Sequence, residues 1–220
     1  MERSYSPESL KTKRSKAAVA AAAKLFLARG IDDVKMTDIA DACGIGVATL
    51  YRYFGTKTHV TIAAMTHLWD ELNVMFSGVF DSPVFLQQSG LKQVTDLMKM
   101  YIVLYDAHKD FMRLLGEFDL MLIRENVPAA ELAEYERSII NFYPVFLRAF
   151  NTGLADGSVR EGIDPYAFYI AHAHAFMEVS KKLIQGELLP NDDFSNASGE
   201  LTMLVQSAAY FLAKPGGGSP

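Results

Sequence analysis

Thr37-Asp-Ile-Ala-Asp-Ala-Cys-Gly-Ile-Gly-Val-Ala-Thr-Leu-Tyr-Arg-Tyr-Phe54 carries the strongest local pattern in the chain. It reads as two short helices joined by a glycine turn. Thr37 marks a helix start, with Asp38 in the first turn where its charge suits the helix dipole. Gly44-Ile45-Gly46 interrupts, and Gly44 can take the positive φ that a tight turn demands. A third helix then runs over about Val47 to Tyr53. Ala40 is small where two helices must approach closely. Ile39, Ile45 and Leu50 are spaced to bury against each other and against Leu25 and Phe26 upstream.

That burial leaves Val47, Ala48, Thr49, Arg52 and Tyr53 facing outward, and the chemistry of this region suits a nucleic-acid duplex. Thr49 and Tyr51 carry hydroxyls for phosphate oxygens, and Arg52 can meet a phosphate or a guanine edge. Val47 and Ala48 are small apolar groups able to touch thymine methyls. Lys57 opens the next helix, where free backbone N–H groups also favour an anion. Lys11, Lys13, Arg14 and Lys16 add attraction for phosphate that does not depend on base sequence.

Net charge over the 220 residues is -5, which on its own argues against a polyanionic partner. The distribution argues the other way. Residues 1–60 hold 10 Lys/Arg against 6 Asp/Glu, whereas residues 61–220 hold 11 against 20. A basic head on an acidic body is the pattern of a module that meets DNA and a remainder that does not.

Helical signals fill the rest, and alternating β-branched runs are missing. Ser6-Pro7 opens the first helix, Ala18, Ala22, Leu25 and Phe26 form its stripe, and Gly30 closes it. Thr56 caps a fourth helix. Longer helices are expected at about 90–107, 109–125, 128–155, 165–185 and 197–213. Pro144 should kink or split the third of these, Asp156-Gly157 reads as a stop, and Asp164-Pro165 reads as a start. The expectation is an all-α chain of about nine helices. It divides into a three-helix DNA-binding domain at 1–58, a larger helical domain for ligand and dimerisation at 59–213, and a Gly/Pro-rich tail at 214–220.

Ala22, Leu25, Phe26, Gly30, Thr37-x-Ile39-Ala40, Gly44-Ile45 and Thr49-Leu50-Tyr51-x-Tyr53-Phe54-x-x-Lys57 together resemble the DNA-binding domain of the TetR family of transcriptional regulators. The resemblance covers roughly residues 14–66. It implies a homodimer on a palindromic operator, usually a repressor released by a small-molecule inducer. It assigns Thr37, Thr49, Tyr51, Tyr53 and Lys57 mainly to backbone contacts, and Val47, Ala48 and Arg52 to the base-facing side. Tyr53 stands where the family often has histidine. Gly46, at the mouth of the recognition helix, stands where it often has serine, so one capping hydroxyl is absent.

Beyond about residue 70 the resemblance fades. Tyr101, Tyr105, Phe111, Met112, Phe118, Phe142, Tyr143 and Phe146, with His172, could line an apolar effector cavity or simply fill a core. Tyr166, Ile170, Met177, Leu201, Leu204, Val205 and Ala208 sit at helical spacing on the last two long helices. Such stripes could pair with their copies across a two-fold axis or close the subunit's own core.

Enzyme readings find little support. His172 and His174 project about 200° apart on a helix and cannot share a metal. His108 and Asp110 have no nucleophile beside them in sequence. No P-loop or GxGxxG occurs, so neither cofactor nor metal is expected. A single cysteine, Cys43, expected to be buried, fits a reducing compartment. With no signal peptide or long apolar run, the expected location is the cytoplasm, without membrane association. The two functional readings are a ligand-responsive regulator of DNA and a helical interaction protein that uses DNA as a scaffold.

Overall fold

A computed structural model describes residues 7–186, 191 and 193–215, with side chains from Thr12 onward. Ser6, the side chain of Lys11 and residues 216–220 of the expected tail lie outside the described residues. Eleven α-helices make up the described chain. The first four are α1 (Pro7–Arg29), α2 (Met36–Cys43), α3 (Val47–Phe54) and α4 (Lys57–Phe76). A single turn, α5 (Pro83–Leu86), leads into α6 (Gly90–Ala107) and α7 (Lys109–Arg124). Then come α8 (Ala133–Ser138), α9 (Tyr143–Asp156), α10 (Pro165–Gln185) and α11 (Ala197–Leu212).

Two helices exceed the expected nine, and both have local causes. Ser82 accepts a hydrogen bond from the Phe85 N–H and Pro83 occupies the first turn, which makes α5. The expected 128–155 helix divides into a 3₁₀ turn, α8 and α9. Ile139 takes an extended conformation, and the Asn141 side chain accepts from the Tyr143 N–H at 3.0 Å to start the chain again. Pro144 therefore sits in the first turn of α9, where it displaces no helical hydrogen bond. It splits the pattern rather than kinking a helix. The other punctuation agrees with the sequence: Asp164 accepts from the N–H groups of Tyr166 and Ala167, and Gly157 follows α9 in the left-handed region.

The chain forms two compact units. The first comprises Met1–Met75 and Leu114–Ile140; the second comprises Phe76–Arg113 and Asn141–Pro220. Residue 58, the expected boundary, lies in the first turn of α4, so segment 1–58 carries α1, α2 and α3 together. In the first unit these three helices pack on Phe26, Ile39 and Leu50, all fully buried. Trp69 of α4 donates its indole N–H to the Tyr135 hydroxyl of α8 at 3.2 Å. Burial pushes the Tyr135 phenol up to about 12.

In the second unit α6 is central, packed on α9, α10 and α11. Gly90 and Gly153 bring α6 and α9 into backbone contact, since a Cβ on Gly90 would lie 1.9 Å from the Gly153 nitrogen. Among the described residues no helix is long and apolar enough to cross a membrane.

Candidate functional site

The turn between α2 and α3 is built as the sequence demands. Gly44 takes φ +69°, and the Ile45 N–H reaches back to the Ala40 carbonyl at 3.0 Å. The start of α2 differs from expectation by a residue or two. The helix begins at Met36, and Asp38 reaches back to accept from the Lys35 N–H at 3.0 Å, leaving Thr37 exposed in the first turn. Leu25 and Ile45 are half-buried rather than core, and Ala23 takes the place beside Phe26. Cys43 is likewise half-buried, its thiol donating to the Ala40 carbonyl and its pKa raised by desolvation.

With Leu50 turned inward, α3 presents Val47, Ala48, Tyr51 and Arg52 as exposed side chains. Thr49 and Tyr53 are half-buried, the Tyr53 ring lying edge-on to Phe54 with the Arg52 guanidinium above it. Gly46 is the N-cap and supplies no side-chain bond. Thr56 caps α4, its hydroxyl oxygen accepting from the His59 N–H at 3.1 Å. Lys57 follows, its ammonium donating to the Asp32 carbonyl at 3.3 Å. Burial pushes the Lys57 pKa down, with the Arg124 charge adding to the effect and Asp32 opposing it. A half-desolvated ammonium at a helix start is suited to exchange a neutral carbonyl for a phosphate.

Residues the sequence did not flag support this face from behind. Glu117 of α7 accepts from the Ile31 N–H at 2.8 Å, just past the end of α1. Two turns further along the same face of α7, Arg124 holds Asp32 through two hydrogen bonds, at 2.9 and 3.3 Å. These bonds keep the Asp32 carboxyl below its usual range. His59 lies between the Thr56 hydroxyl and the Glu131 carboxylate. Each pair is more than sixty positions apart or involves a loop, so no periodic signal points to it.

In the second unit, Tyr101, Phe142, Phe146 and His172 do converge. They surround a void of only about 20 Å³ together with Phe168, Tyr169 and Phe176. Tyr101 stacks on Phe176 with centroids 5.1 Å apart, and His172 stacks on Phe168 at 3.9 Å while bonding its carbonyl. The Tyr101 hydroxyl donates to Tyr169, and burial pushes its pKa well up. Tyr143 packs on Tyr166 and Tyr169 at the edge of this set. Four other expected lining residues do not join it. Phe111 and Met112 are buried in α7, and Phe118 belongs to the first unit against Tyr135. Tyr105 is buried too, with the Lys109 ammonium 5.0 Å from its ring centre. The set is a packed aromatic core in this conformation, not an open cavity.

A sizeable opening lies elsewhere, as a groove of about 930 Å³ along α6 and α11. Of the expected effector residues none lines it. The signal was present as Leu91, Thr95, Ile102 and Asp106 at helical spacing, but periodicity cannot separate a groove wall from a core stripe.

For the expected subunit interface, Leu201, Val205 and Ala208 turn inward and are at most 2 % exposed, so they close the subunit's own core. Ile170, Met177 and Leu204 are half-buried, while Tyr166 is 56 % exposed. The outward large apolar residues of α11 are instead Met203 at 67 %, Tyr210 at 81 % and Phe211 at 49 %. Among the described residues no group of three or more His, Cys, Asp or Glu side chains can hold a metal ion.

Residues 18–64 match the family described as bacterial regulatory proteins, tetR family. No curated relative matches the chain in sequence. Solved structures match along almost all of it. A TetR transcription regulator from Haloarcula marismortui ATCC 43049 aligns with TM-score 0.69 at 14 % identity, covering 92 % of this chain and 100 % of that one. A bacterial regulatory protein in the tetR family from Rhodococcus RHA1 aligns at 0.59 and 18 %, covering 91 % and 97 %. AibR, solved with isovaleryl coenzyme A and operator DNA, aligns at 0.51 and 18 %, covering 87 % and 98 %. At these identities the likeness is one of fold.

Proposed function

We propose that this chain, which carries the tetR-family DNA-binding domain over residues 18–64 on a fold shared with tetR-family regulators, is a ligand-responsive transcriptional regulator acting in the cytoplasm. One observation carries the reading. On α3 the single fully buried side chain is Leu50, so the helix is anchored by one face while Val47, Ala48, Tyr51 and Arg52 stand free at its other face. Thr37, Thr49, Tyr51, Tyr53 and Lys57 contact phosphates in this reading, and Val47, Ala48 and Arg52 meet base edges beside Gly46.

Operator binding needs two such helices about one turn of duplex apart, or about 34–36 Å, hence a dimer. The exposed faces of α10 and α11, with Tyr166, Met203 and Tyr210, supply its self-complementary surface. Ile170, Met177 and Leu204 flank that surface. An effector releases the dimer from a palindromic operator, which makes the chain a repressor. AibR was solved with both an acyl-coenzyme A and operator DNA, the two ligand classes this reading requires.

The test is selection of bound fragments from a genomic DNA pool by the full-length protein, repeated with candidate effectors. Enrichment of palindromic sequences that an effector abolishes is the expected result. Sequence-independent recovery would instead favour a protein that uses DNA only as a scaffold for protein partners.

A further inference from the structure

The groove along α6 and α11 has a chemistry that singles out one class of ligand. Its two helices run antiparallel. At one end the Leu91 N–H donates to the Ser158 hydroxyl oxygen and the Lys214 N–H to the Ser158 carbonyl. At the other, the Ser198 hydroxyl donates to Asp106 at 2.7 Å. From Leu91 to Asp106 the α6 wall extends about 22 Å, at a rise of about 1.5 Å per residue.

The middle is apolar, with Ile102 and Val103 facing it from α6 above a floor of Val205 and Ala209, each only 1 % exposed. Thr95 and Thr202 also face it, but each gives its hydroxyl proton to a carbonyl one turn back, at 2.8 Å. Gln206 adds one exposed amide, so the interior offers a single polar handle to a sugar or a polyol and a longer apolar surface to a hydrocarbon chain.

Charge is distributed along the axis. Lys92 and Lys214 stand at the Ser158 end, with Lys99 two turns along α6. Lys92 and Lys99 share the carboxylate of Asp96, so two ammonium groups are balanced by one acid. Among the described residues no carboxylate pairs with Lys214. This positive end lies on a body, residues 61–220, in which Asp and Glu outnumber Lys and Arg by 20 to 11. The far end carries Asp106, which repels an anionic head group. An apolar trough with cations along the half nearer Ser158 and an acid at the far end fits a single-headed amphiphile in one direction only.

We propose that the α6–α11 groove binds a single-chain aliphatic anion, its head group among Lys92, Lys99 and Lys214 and its tail along Ile102 and Val103, over the floor of Val205 and Ala209, toward Asp106. A planar aromatic effector is poorly served here and would have to force open the packed core around Tyr101 instead. Binding itself is independent of the DNA-binding reading; only its regulatory consequence rests on that reading.

The experiment measures direct binding of 11-(dansylamino)undecanoate to the full chain by fluorescence, without DNA, with displacement by dodecanoate. Saturable binding is expected, with dodecanoate displacing the probe and dodecylamine failing to do so. Thr202→Trp places a bulky ring into the groove from an exposed position and should weaken binding about tenfold or more. Lys214→Gln should weaken it about two- to fivefold, the range of one exposed charge, with the loss disappearing at high salt. Three results would overturn the proposal: no saturable binding, equal displacement by dodecylamine, or binding that Thr202→Trp leaves unchanged. A fourth is a probe that never binds while Thr202→Trp turns a dimer into a monomer in sedimentation velocity. That pattern would assign the groove to a second copy of the chain. DNA selection can succeed or fail separately, so the two readings are distinguished.

Discussion

Replacing Gly30 with alanine tests the joint between α1 and the helix-turn-helix. Gly30 ends α1 at φ +82°, and a Cβ there would lie 2.8 Å from Glu117 Oε2. Two costs follow. The left-handed conformation costs an ordinary residue about 1–2 kcal/mol. The Glu117 carboxylate must also retreat until it reaches ordinary contact, which begins at 3.4 Å. That retreat stretches the bond that its Oε2 accepts from the Ile31 N–H, now 2.8 Å.

A bond to a charged group contributes about 1.5–3 kcal/mol at full value; Glu117 is half-exposed, so about 1 kcal/mol is the appropriate share. The sum is about 2–3 kcal/mol. With a urea slope of about 2 kcal/mol per molar, the midpoint should fall by about 1–1.5 M. Trp69 is the only tryptophan and is buried in the same unit, so its fluorescence reports this transition directly.

A double-mutant cycle separates the two costs. In Gly30→Ala with Glu117→Ala the carboxylate is gone, so only the φ cost remains at Gly30. The pair should therefore be less destabilised than the sum of the single variants by about 1 kcal/mol. A midpoint shift below about 0.3 M, or additivity within about 0.3 kcal/mol, would mean that Gly30 and Glu117 do not form this joint.

Three further predictions use different readouts. Tyr51→Ala and Lys57→Ala should weaken operator binding similarly across sequences, and Lys57→Ala should lower the log–log salt slope by about one unit; unchanged affinity in both variants would remove these contacts from the interface. Tyr210→Glu places a charge on the most exposed large apolar side chain of α11 and should raise the dimer dissociation constant at least about tenfold by analytical ultracentrifugation, weakening DNA binding with it. Asp156 accepts from the Gly90 and Ser158 N–H groups at 2.8 Å each; burial acts to raise its pKa, but the Ser158 hydroxyl together with those two bonds outweighs it and the net shift is downward. A depressed carboxyl stabilises the fold above its ordinary pKa and loses that contribution as pH falls through the folded value. Asp156→Ala should therefore cost about 1 kcal/mol at neutral pH and progressively less in acid, measured by thermal unfolding across that range.

Local chemistry determined much of this protein from sequence alone. Gly44, Leu50, Thr56, Asp164-Pro165 and Gly157 act within a few residues of themselves, through φ, a cap or one anchored helix face. Their structural roles were therefore legible without a fold, as was the charge division between head and body. Fine placement was less so: Asp38 capping back to Lys35, rather than Thr37 starting α2, depends on which of two adjacent polar residues wins a bond.

Which apolar stripe faces which neighbour was settled by packing alone. Leu201, Val205 and Ala208 have the spacing of an interface and the burial of a core, and nothing in a helical period distinguishes one from the other. The aromatic residues from Tyr101 to Phe146 read equally well as cavity or filling, and their rings close to a void of about 20 Å³. The groove along α6 and α11 exists because two helices far apart in sequence leave space between their outer faces. Glu117 meets Ile31 across 86 positions for the same reason. A side chain's type and period fix its helix and its face, but its neighbour is chosen by packing among helices that the sequence does not order.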